Sequence, residues 1–406
     1  MNRKKLVTDS IVVGFALFAM FFGAGNVVFP PYIGMHAGGA DNITGRIGHV
    51  ASKVLMCAVI LCIGPMVAIP RTAATTLEMS VTPFFSGMSP VVFSIIFFAV
   101  ILLLSIKQSA VIDIVGKILT PALLIGLLVL IVKGFVSPIG DIVDTGVSAS
   151  EVTVNGIKSG YQTMDVLAAM AFGIIILSSA DEKGYTDSKS AAKMIGIAAA
   201  LSGVLLLIVY FGLTYLGATA STVFPTDISR ANLVIGIVEL LLGKAGLIIF
   251  AIVIALACIT TAVALVSSAA SFFAKLANDK ISYSVFVVVI CVSSAVISNL
   301  GLDMIIAIAT PVLDIVYPPM LVLILLSWFG DKLHKSVYVS SVAGSLIASV
   351  LATASLYGMN VPVIDSLPLA SLGLGWLTPA AVFGLVAYLV SKVKFQNAQT
   401  ANAQNS

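Results

Sequence analysis

Apolar runs close to twenty residues long recur along the whole chain and alternate with short polar stretches. A helix of about 20 apolar residues spans a bilayer core of about 30 Å. The pattern therefore predicts an all-α polytopic membrane protein with about eleven transmembrane helices. The predicted segments lie at about 9–34, 54–70, 91–106, 116–132, 160–180, 193–216, 245–273, 283–299, 303–329, 336–357 and 373–391.

The composition strengthens this prediction. The chain has 406 residues, of which 59% are hydrophobic and 10% are charged, whereas soluble domains have roughly 25% charged residues. We expect residues 1–395 to form a single transmembrane domain. The polar residues 396–406 are expected to form a disordered C-terminal tail.

Several function classes find little support in the sequence. The net charge of +3 predicts no surface for nucleic acid. The sequence has no cluster of metal ligands, no nucleophile beside a base and no phosphate-binding loop, so neither an enzyme nor a cofactor is predicted. A channel would need a pore lined by rings of charge or carbonyls, usually from several subunits. The lipid bilayer is the one partner that the composition itself requires.

The basic residues indicate how the chain is oriented, because Lys and Arg stay on the cytoplasmic side of a membrane. Arg3, Lys4 and Lys5 and the basic C-terminal flank predict that both ends are cytoplasmic, which requires an even number of crossings. The other basic residues place Lys53 inside, while the first segment ends outside near Met35. Either the first segment does not cross fully, or one crossing is missing between these two residues.

The stretch FFGAGNVVFPP, residues 21–31, interrupts the first apolar segment. Gly and Pro are poor helix formers, and a broken helix has free N–H groups at one end and free carbonyls at the other. Such ends suit a carboxylate and a cation, and they form the mid-membrane sites of many transporters. Small residues also allow close helix packing, but Asn26 and Pro30–Pro31 favour a binding break at residues 23–26.

A matching interruption is expected in the second half of an inverted repeat. The candidate is GYQTMDVLAAMAFGIIIL, residues 160–177, which contains Asp165, Ala168, Ala169 and Phe172. An ionisable residue inside the membrane indicates function by default. Asp165 lies near the start of its segment, so it could instead reach water at the interface. The sequence leaves both interpretations open.

Two further places carry polar groups in apolar surroundings. Thr260 and Thr261, in ACITTAVALVSSAASFF, offer hydroxyl oxygens to a small cation. Buried threonines commonly bond a carbonyl of their own helix instead, and the sequence alone favours that interpretation. Asp314, in ATPVLDIVYPP, is either a coupling group or a helix-bending contact.

Four motifs together resemble one transporter family. FALFAMFFGAGNVVFPP, IGPMVAIPRTA, GYQTMDVLAAMAFG and LACITTA occur in this order. They resemble the bacterial branched-chain amino acid carriers, the leucine/isoleucine/valine cation symporter family, over about Lys5 to Val393. The resemblance implies a LeuT-like fold of twelve helices, the first ten in two inverted repeats. It also implies cation-coupled uptake of leucine, isoleucine and valine across the cell membrane by alternating access, with Na⁺ favoured over H⁺.

The resemblance also implies roles for individual residues. The implied substrate-binding residues are Gly23, Ala24, Gly25, Asn26, Ala168, Ala169 and Phe172. The implied sodium site consists of Thr260 and Thr261 with the backbone carbonyls of Ala19 and Phe22. Asp165 and Asp314 are candidates for coupling groups.

The chain departs from the family at one point. A second transmembrane helix, expected before ADNITGRIGHVASKV, is absent. The gap lies where the charge pattern requires a further crossing. We therefore expect about eleven helices where the family has twelve. A transport-inactive deletion variant of such a carrier is the alternative interpretation.

Overall fold

The computed structural model describes residues 3–21, 45–106, 120–143, 146–225, 227–359 and 361–404. Within these residues the chain forms fourteen α-helices, joined by turns and by short 3₁₀ and π-helical segments, and no strand. The helices are α1 (Arg3–Phe21), α2 (His49–Leu61), α3 (Ala68–Thr76), α4 (Pro90–Ile106), α5 (Thr120–Val136), α6 (Ala149–Gln162), α7 (Asp165–Glu182), α8 (Ser188–Thr219), α9 (Arg230–Leu276), α10 (Tyr283–Ser298), α11 (Leu302–Ser327), α12 (Lys335–Leu356), α13 (Pro362–Asp365) and α14 (Leu377–Gln404).

Helices occupy all the predicted apolar segments, wholly or in part, within the described residues. The stretches long and apolar enough to cross a membrane are Val50–Val81, Lys189–Thr219, Arg230–Leu276, Leu302–Ser327 and Lys335–Leu356. Shorter apolar helices occupy Pro90–Ile106, Leu124–Val136, Tyr283–Ser298 and Leu377–Val393. The prediction of an all-helical, multi-pass membrane protein is confirmed.

Two helices add detail that the hydrophobic pattern did not contain. In α9, Gly243 has a φ of +65° and a ψ of −170°, so the first turns of α9 are separated from its long apolar part. Glycine adopts this left-handed conformation without steric cost. The structure continues α14 to Gln404, so residues 396–404 are helical where the sequence predicts a disordered tail. The assignment of residues 1–395 to a single domain stays a prediction.

The described chain divides into two compact units. Unit 1 contains Met1–Met35, Ile60–Gly146 and Gln162–Ala309. Unit 2 contains His36–Val59, Val147–Tyr161 and Thr310–Ser406. Each unit is built from segments far apart in the sequence, so each is held together by long-range packing.

In unit 1, α9 is the central helix and packs against α1, α3, α5, α7 and α10. Its inward face carries the small or branched residues Ala262, Val266 and Ala270, which are fully buried. Such residues let neighbouring membrane helices approach closely. The helix α1 also packs along α8, where Ser10 Oγ donates to the carbonyl of Met194 at 3.4 Å.

In unit 2, α12 packs along α14. A methyl group added at Gly344 of α12 would lie 2.6 Å from the carbonyl oxygen of Pro379 in α14. Ser341 and Ser345, on the same helix, are also buried. The crossing therefore depends on small residues on α12.

Unit 2 also holds the residues that follow the expected gap. Arg46 donates a hydrogen bond from Nη1 to the hydroxyl oxygen of Tyr338 at 2.7 Å, and its guanidinium lies 5.1 Å from the centroid of that ring. The Tyr338 hydroxyl lies 2.7 Å from the carbonyl of Gly330 and can donate its proton there. One buried hydroxyl thus ties the Gly45–Ile47 turn to the start of α12.

We expect Tyr338→Phe to lower the free energy of unfolding by about 1–2 kcal/mol, because the hydrogen bond from Arg46 and the hydrogen bond to the Gly330 carbonyl are both lost. Thermal unfolding of the purified protein in detergent measures this change. Tyr357, with 69% of its surface exposed, provides the matched control. Tyr357→Phe is expected to change stability by less than about 0.5 kcal/mol. Equal effects of the two substitutions would contradict a structural role for Tyr338.

Candidate functional site

The second helix interruption lies between α6 and α7, at Thr163 and Met164. Met164 is 2% exposed and has a φ of +59°, an uncommon conformation for a residue other than glycine. The interruption lies inside the candidate stretch 160–177, but it precedes Ala168, Ala169 and Phe172, because α7 runs through these residues without interruption. Ala, Leu and Met are strong helix formers, whereas Thr and Asp favour a helix start.

Asp165 begins α7 and is buried, with 1% of its surface exposed. Thr163 Oγ1 donates to Asp165 Oδ2 at 3.1 Å. The other carboxylate oxygen, Oδ1, is buried and has no hydrogen-bond partner among the described residues. The side chain therefore does not reach the surface, and the interpretation in which it simply meets water at a helix end does not describe its position.

Arg71 of α3 reaches this break from another part of the sequence. Its side chain is buried, and Nη1 donates to the carbonyl oxygen of Gln162 at 2.7 Å. The Arg71 charge also acts on Asp165 and on Cys258 of α9. Sequence reasoning did not identify Arg71 as a site residue.

A kink that the sequence analysis did not predict precedes Arg71. The residues Cys62–Met66 form a π-helical turn in which Gly64 leaves the helical conformation, with φ −91° and ψ −127°, and Pro65 follows it. Proline interrupts the backbone ladder of a helix, and π-helical turns are frequent at functional sites. The motif IGPMVAIPRTA contained this signal in its glycine and proline. The kink separates α2 from α3, the helix that carries Arg71.

The threonine pair lies on the part of α9 that faces the same region. Thr260 and Thr261 are buried, and Thr260 Oγ1 donates to the carbonyl of Ala257 at 2.9 Å within its own helix. This bond uses the hydroxyl proton and leaves the oxygen lone pairs able to meet a cation. Two residues earlier, Cys258 interacts with Thr76 and Arg71 of unit 1.

The structure brings some of the sequence-predicted residues together. Ala168 and Ala169 are buried in the first turns of α7, which packs against α9. Ala19 lies in α1, which also packs against α9. The structure does not describe the other predicted positions, which are Phe22, Gly23, Ala24, Gly25 and Asn26. The side chain of Phe172 also lies outside the described side chains.

Asp314 belongs to unit 2 and has its own partner. It lies in α11, its side chain is 11% exposed, and its Oδ2 lies 4.0 Å from Lys158 Nζ. Pro311, Pro318 and Pro319 lie in the same helix. Asp314 therefore lies beside a lysine, and both side chains line one cavity of unit 2.

The chain matches the family profile described as branched-chain amino acid transport protein over residues 6–41 and 37–394. It belongs to this family. It is 32% identical over 434 residues to the branched-chain amino acid permease BraB of Bacillus subtilis (strain 168), covering 96% of this chain and 97% of that protein. It is 34% identical to the branched-chain amino acid transport system 2 carrier protein of Pseudomonas aeruginosa, covering 95% of this chain and 96% of that protein. It is also 33% identical to the permease BrnQ of Escherichia coli (strain K12), covering 94% of this chain and 95% of that protein.

Two solved structures show the fold. One is a Na⁺-coupled sialic acid symporter in a substrate-bound outward-open state, with a TM-score of 0.51 and 15% identity, covering 94% of this chain and 83% of that one. The other is Mhp1, a nucleobase-cation-symport-1 family transporter in a closed conformation, with a TM-score of 0.53 and 14% identity, covering 94% and 84%. This chain therefore has the expected LeuT-like fold.

The alignments also bear on the missing crossing. The two profile matches meet at residues 37–41, between Met35 and Lys53, where the charge pattern requires a further helix. The alignment with BraB extends over 434 positions, and this chain has 406 residues, so at least 28 aligned positions have no counterpart here. A membrane helix needs about 20 residues. The total number of unmatched positions is thus large enough to include one helix and its loop.

Proposed function

We propose that this carrier takes up leucine, isoleucine and valine across the plasma membrane, coupled to Na⁺, by alternating access, with both chain ends in the cytoplasm. Family membership supports the transport of branched-chain amino acids. The observation that carries the assignment of the site is the buried break at Thr163 and Met164. Helix ends inside a membrane are where transporters of this kind bind small zwitterions and ions.

In this proposal the substrate lies against both helix breaks. Residues 23–26 meet its carboxylate and amino group, and Ala168, Ala169 and Phe172 line the pocket for its apolar side chain. An apolar pocket separates ligands that differ by one methylene by only about 1–3 kcal/mol. Acceptance of all three branched side chains is therefore the expected selectivity. Asp165 and Arg71 hold the second break and change their pairing as the site opens to either side.

The proposed sodium site uses oxygen ligands only. Thr260 and Thr261 supply hydroxyl oxygens, and Ala19 and Phe22 supply backbone carbonyls, the ligand type that hard cations prefer. The packing of α1 against α9 supports this set. The cation drives uptake by binding the substrate-competent state more tightly than the other state.

We expect Thr261→Val to raise the Na⁺ concentration for half-maximal leucine uptake at least about tenfold, a loss of about 1.4 kcal/mol of Na⁺ binding. The substitution removes one oxygen and keeps the side-chain shape. The measurement is a Na⁺ titration of labelled leucine uptake into proteoliposomes. Thr219→Val is the matched control, because Thr219 is buried and bonds its own helix at Leu216. An unchanged Na⁺ dependence in both Thr260→Val and Thr261→Val would contradict the proposed ion site.

The proposed function is tested by Na⁺-driven uptake of labelled leucine into proteoliposomes. This chain is compared with a version that carries the second helix of BraB after Met35. Uptake by both proteins supports the proposal and shows that the helix is dispensable. Uptake by the restored protein alone supports a second candidate function, a transport-inactive variant, which the gap of at least one helix length favours. Failure of both, with a Na⁺ or a proton gradient, would contradict the proposed transport.

A further inference from the structure

Unit 2 contains a cavity of about 250 Å³ that the proposed transport site does not use. It is bounded by α6, α11, α12 and the turns before α14. Much of its wall is apolar, with Val154, Ala348, Ala352 and Leu356 among the lining residues. The cavity is smaller than the roughly 300–1,000 Å³ of drug-sized ligand sites, so it suits a small molecule with a compact apolar part.

One part of the cavity wall carries a positive and a negative charge side by side. Lys158 Nζ and Asp314 Oδ2 are 4.0 Å apart, whereas a hydrogen bond between such groups is about 2.7–2.9 Å long. The two groups attract each other without closing a hydrogen bond. The ammonium therefore has protons to donate, and the carboxylate has lone pairs to accept.

Two buried donors line the same cavity without a partner. Tyr161 is 8% exposed and Trp376 is 7% exposed, and Tyr161 Oη and Trp376 Nε1 have no hydrogen-bond partner among the described residues. The two groups interact but lie outside hydrogen-bond geometry. Tyr161 is held in place by stacking on Tyr317, with ring centroids 4.7 Å apart. Buried polar atoms are nearly always paired, so two unpaired donors beside a lysine indicate a ligand that supplies a hydrogen-bond acceptor.

We propose that this cavity binds a neutral amino acid with an apolar side chain. Asp314 accepts hydrogen bonds from its ammonium group, and Lys158, Tyr161 and Trp376 donate to its carboxylate. The apolar wall surrounds its side chain. The identification of this ligand as a branched-chain amino acid rests on the proposed function. The site consists of residues of unit 2 alone, and none of them belongs to the proposed transport site. The sequence analysis considered Asp314 as a candidate coupling group.

The test uses the two tryptophans of the chain. Trp328 is 59% exposed, so Trp328→Phe leaves Trp376 as the sole tryptophan in a full-length protein. We expect leucine to change Trp376 emission saturably. In this background, Asp314→Asn and Lys158→Met should each weaken leucine binding at least about tenfold, the loss expected for one charge-assisted hydrogen bond. The reciprocal variant, Trp376→Phe, keeps only Trp328, and leucine should cause no saturable change in its emission.

Analogues identify the chemical class of the ligand. We expect 4-methylpentanoate, which lacks the ammonium, and 3-methylbutylamine, which lacks the carboxylate, each to bind at least about tenfold more weakly than leucine. Equal binding of either analogue would overturn a zwitterion site. A Trp376 emission that leucine does not change, in a protein that transports leucine, would overturn the cavity assignment and leave the proposed function standing. Saturable binding in a protein that transports nothing would support the cavity site and contradict the proposed function.

Discussion

Asp165→Ala is expected to reduce leucine uptake at least about tenfold and to lower the free energy of unfolding by about 1–3 kcal/mol. Asp165 is 1% exposed, and the charge of buried Arg71 acts on it. Removing the carboxyl group takes away the acceptor of the Thr163 hydroxyl at the helix break, and a buried hydrogen bond that loses one partner costs about 1–3 kcal/mol.

A double-mutant cycle measures the coupling between Arg71 and Asp165. Arg71→Met combined with Asp165→Ala should be less destabilising than the sum of the single substitutions, because both side chains act at the same helix break and their effects do not add. Uptake is measured per mole of monodisperse protein, and stability by thermal unfolding in detergent. The ion pair of Arg230 with Asp303 supplies the control, since its side chains are 65% and 52% exposed. Asp303→Asn is expected to cost at most about 1 kcal/mol. An Asp165→Ala protein that behaves like Asp303→Asn would refute a structural role for Asp165 at the break.

Gly344→Ala is expected to lower the free energy of unfolding by about 3 kcal/mol, at the upper end of the usual cost of overpacking. The added methyl group would lie 2.6 Å from the backbone oxygen of Pro379 and 3.0 Å from the Phe383 ring. A flexible side chain could move away from such an overlap, but a helix backbone cannot move alone. The helices α12 and α14 must therefore separate and lose contacts along their crossing.

The same substitution elsewhere in the chain should have the opposite sign. Gly217 lies in α8, and a methyl group there would meet nothing within 4 Å. Gly217→Ala is expected to raise stability by roughly 0.5–1 kcal/mol, because alanine loses less backbone freedom in a helix. Thermal unfolding of both proteins in one detergent compares the two directly. A stabilised Gly344→Ala protein would show that the α12–α14 crossing has room that the structure does not show.

The sequence by itself determined the class of this protein, its membrane segments and its family. Lipid offers no hydrogen bonds, so every crossing must be a helix of near-fixed length, and apolar runs alone locate such helices. The basic residues indicated a missing crossing between Met35 and Lys53 for a similar reason, since the membrane sorts charge by side. These features depend on whether each segment lies in lipid or in water, so they can be predicted from the residues of that segment alone.

Only the tertiary structure decided where the second break lies and which groups meet there. The sequence placed the second break somewhere within residues 160–177, and only the structure shows that Met164 is the residue that takes the left-handed conformation there. The bond from Arg71 to Gln162 joins residues 91 positions apart, and the pairing of Lys158 with Asp314 crosses a still longer stretch of chain. A hydropathy pattern records how much a residue avoids water. It does not record which distant partner will share its burial, because that depends on how the helices pack.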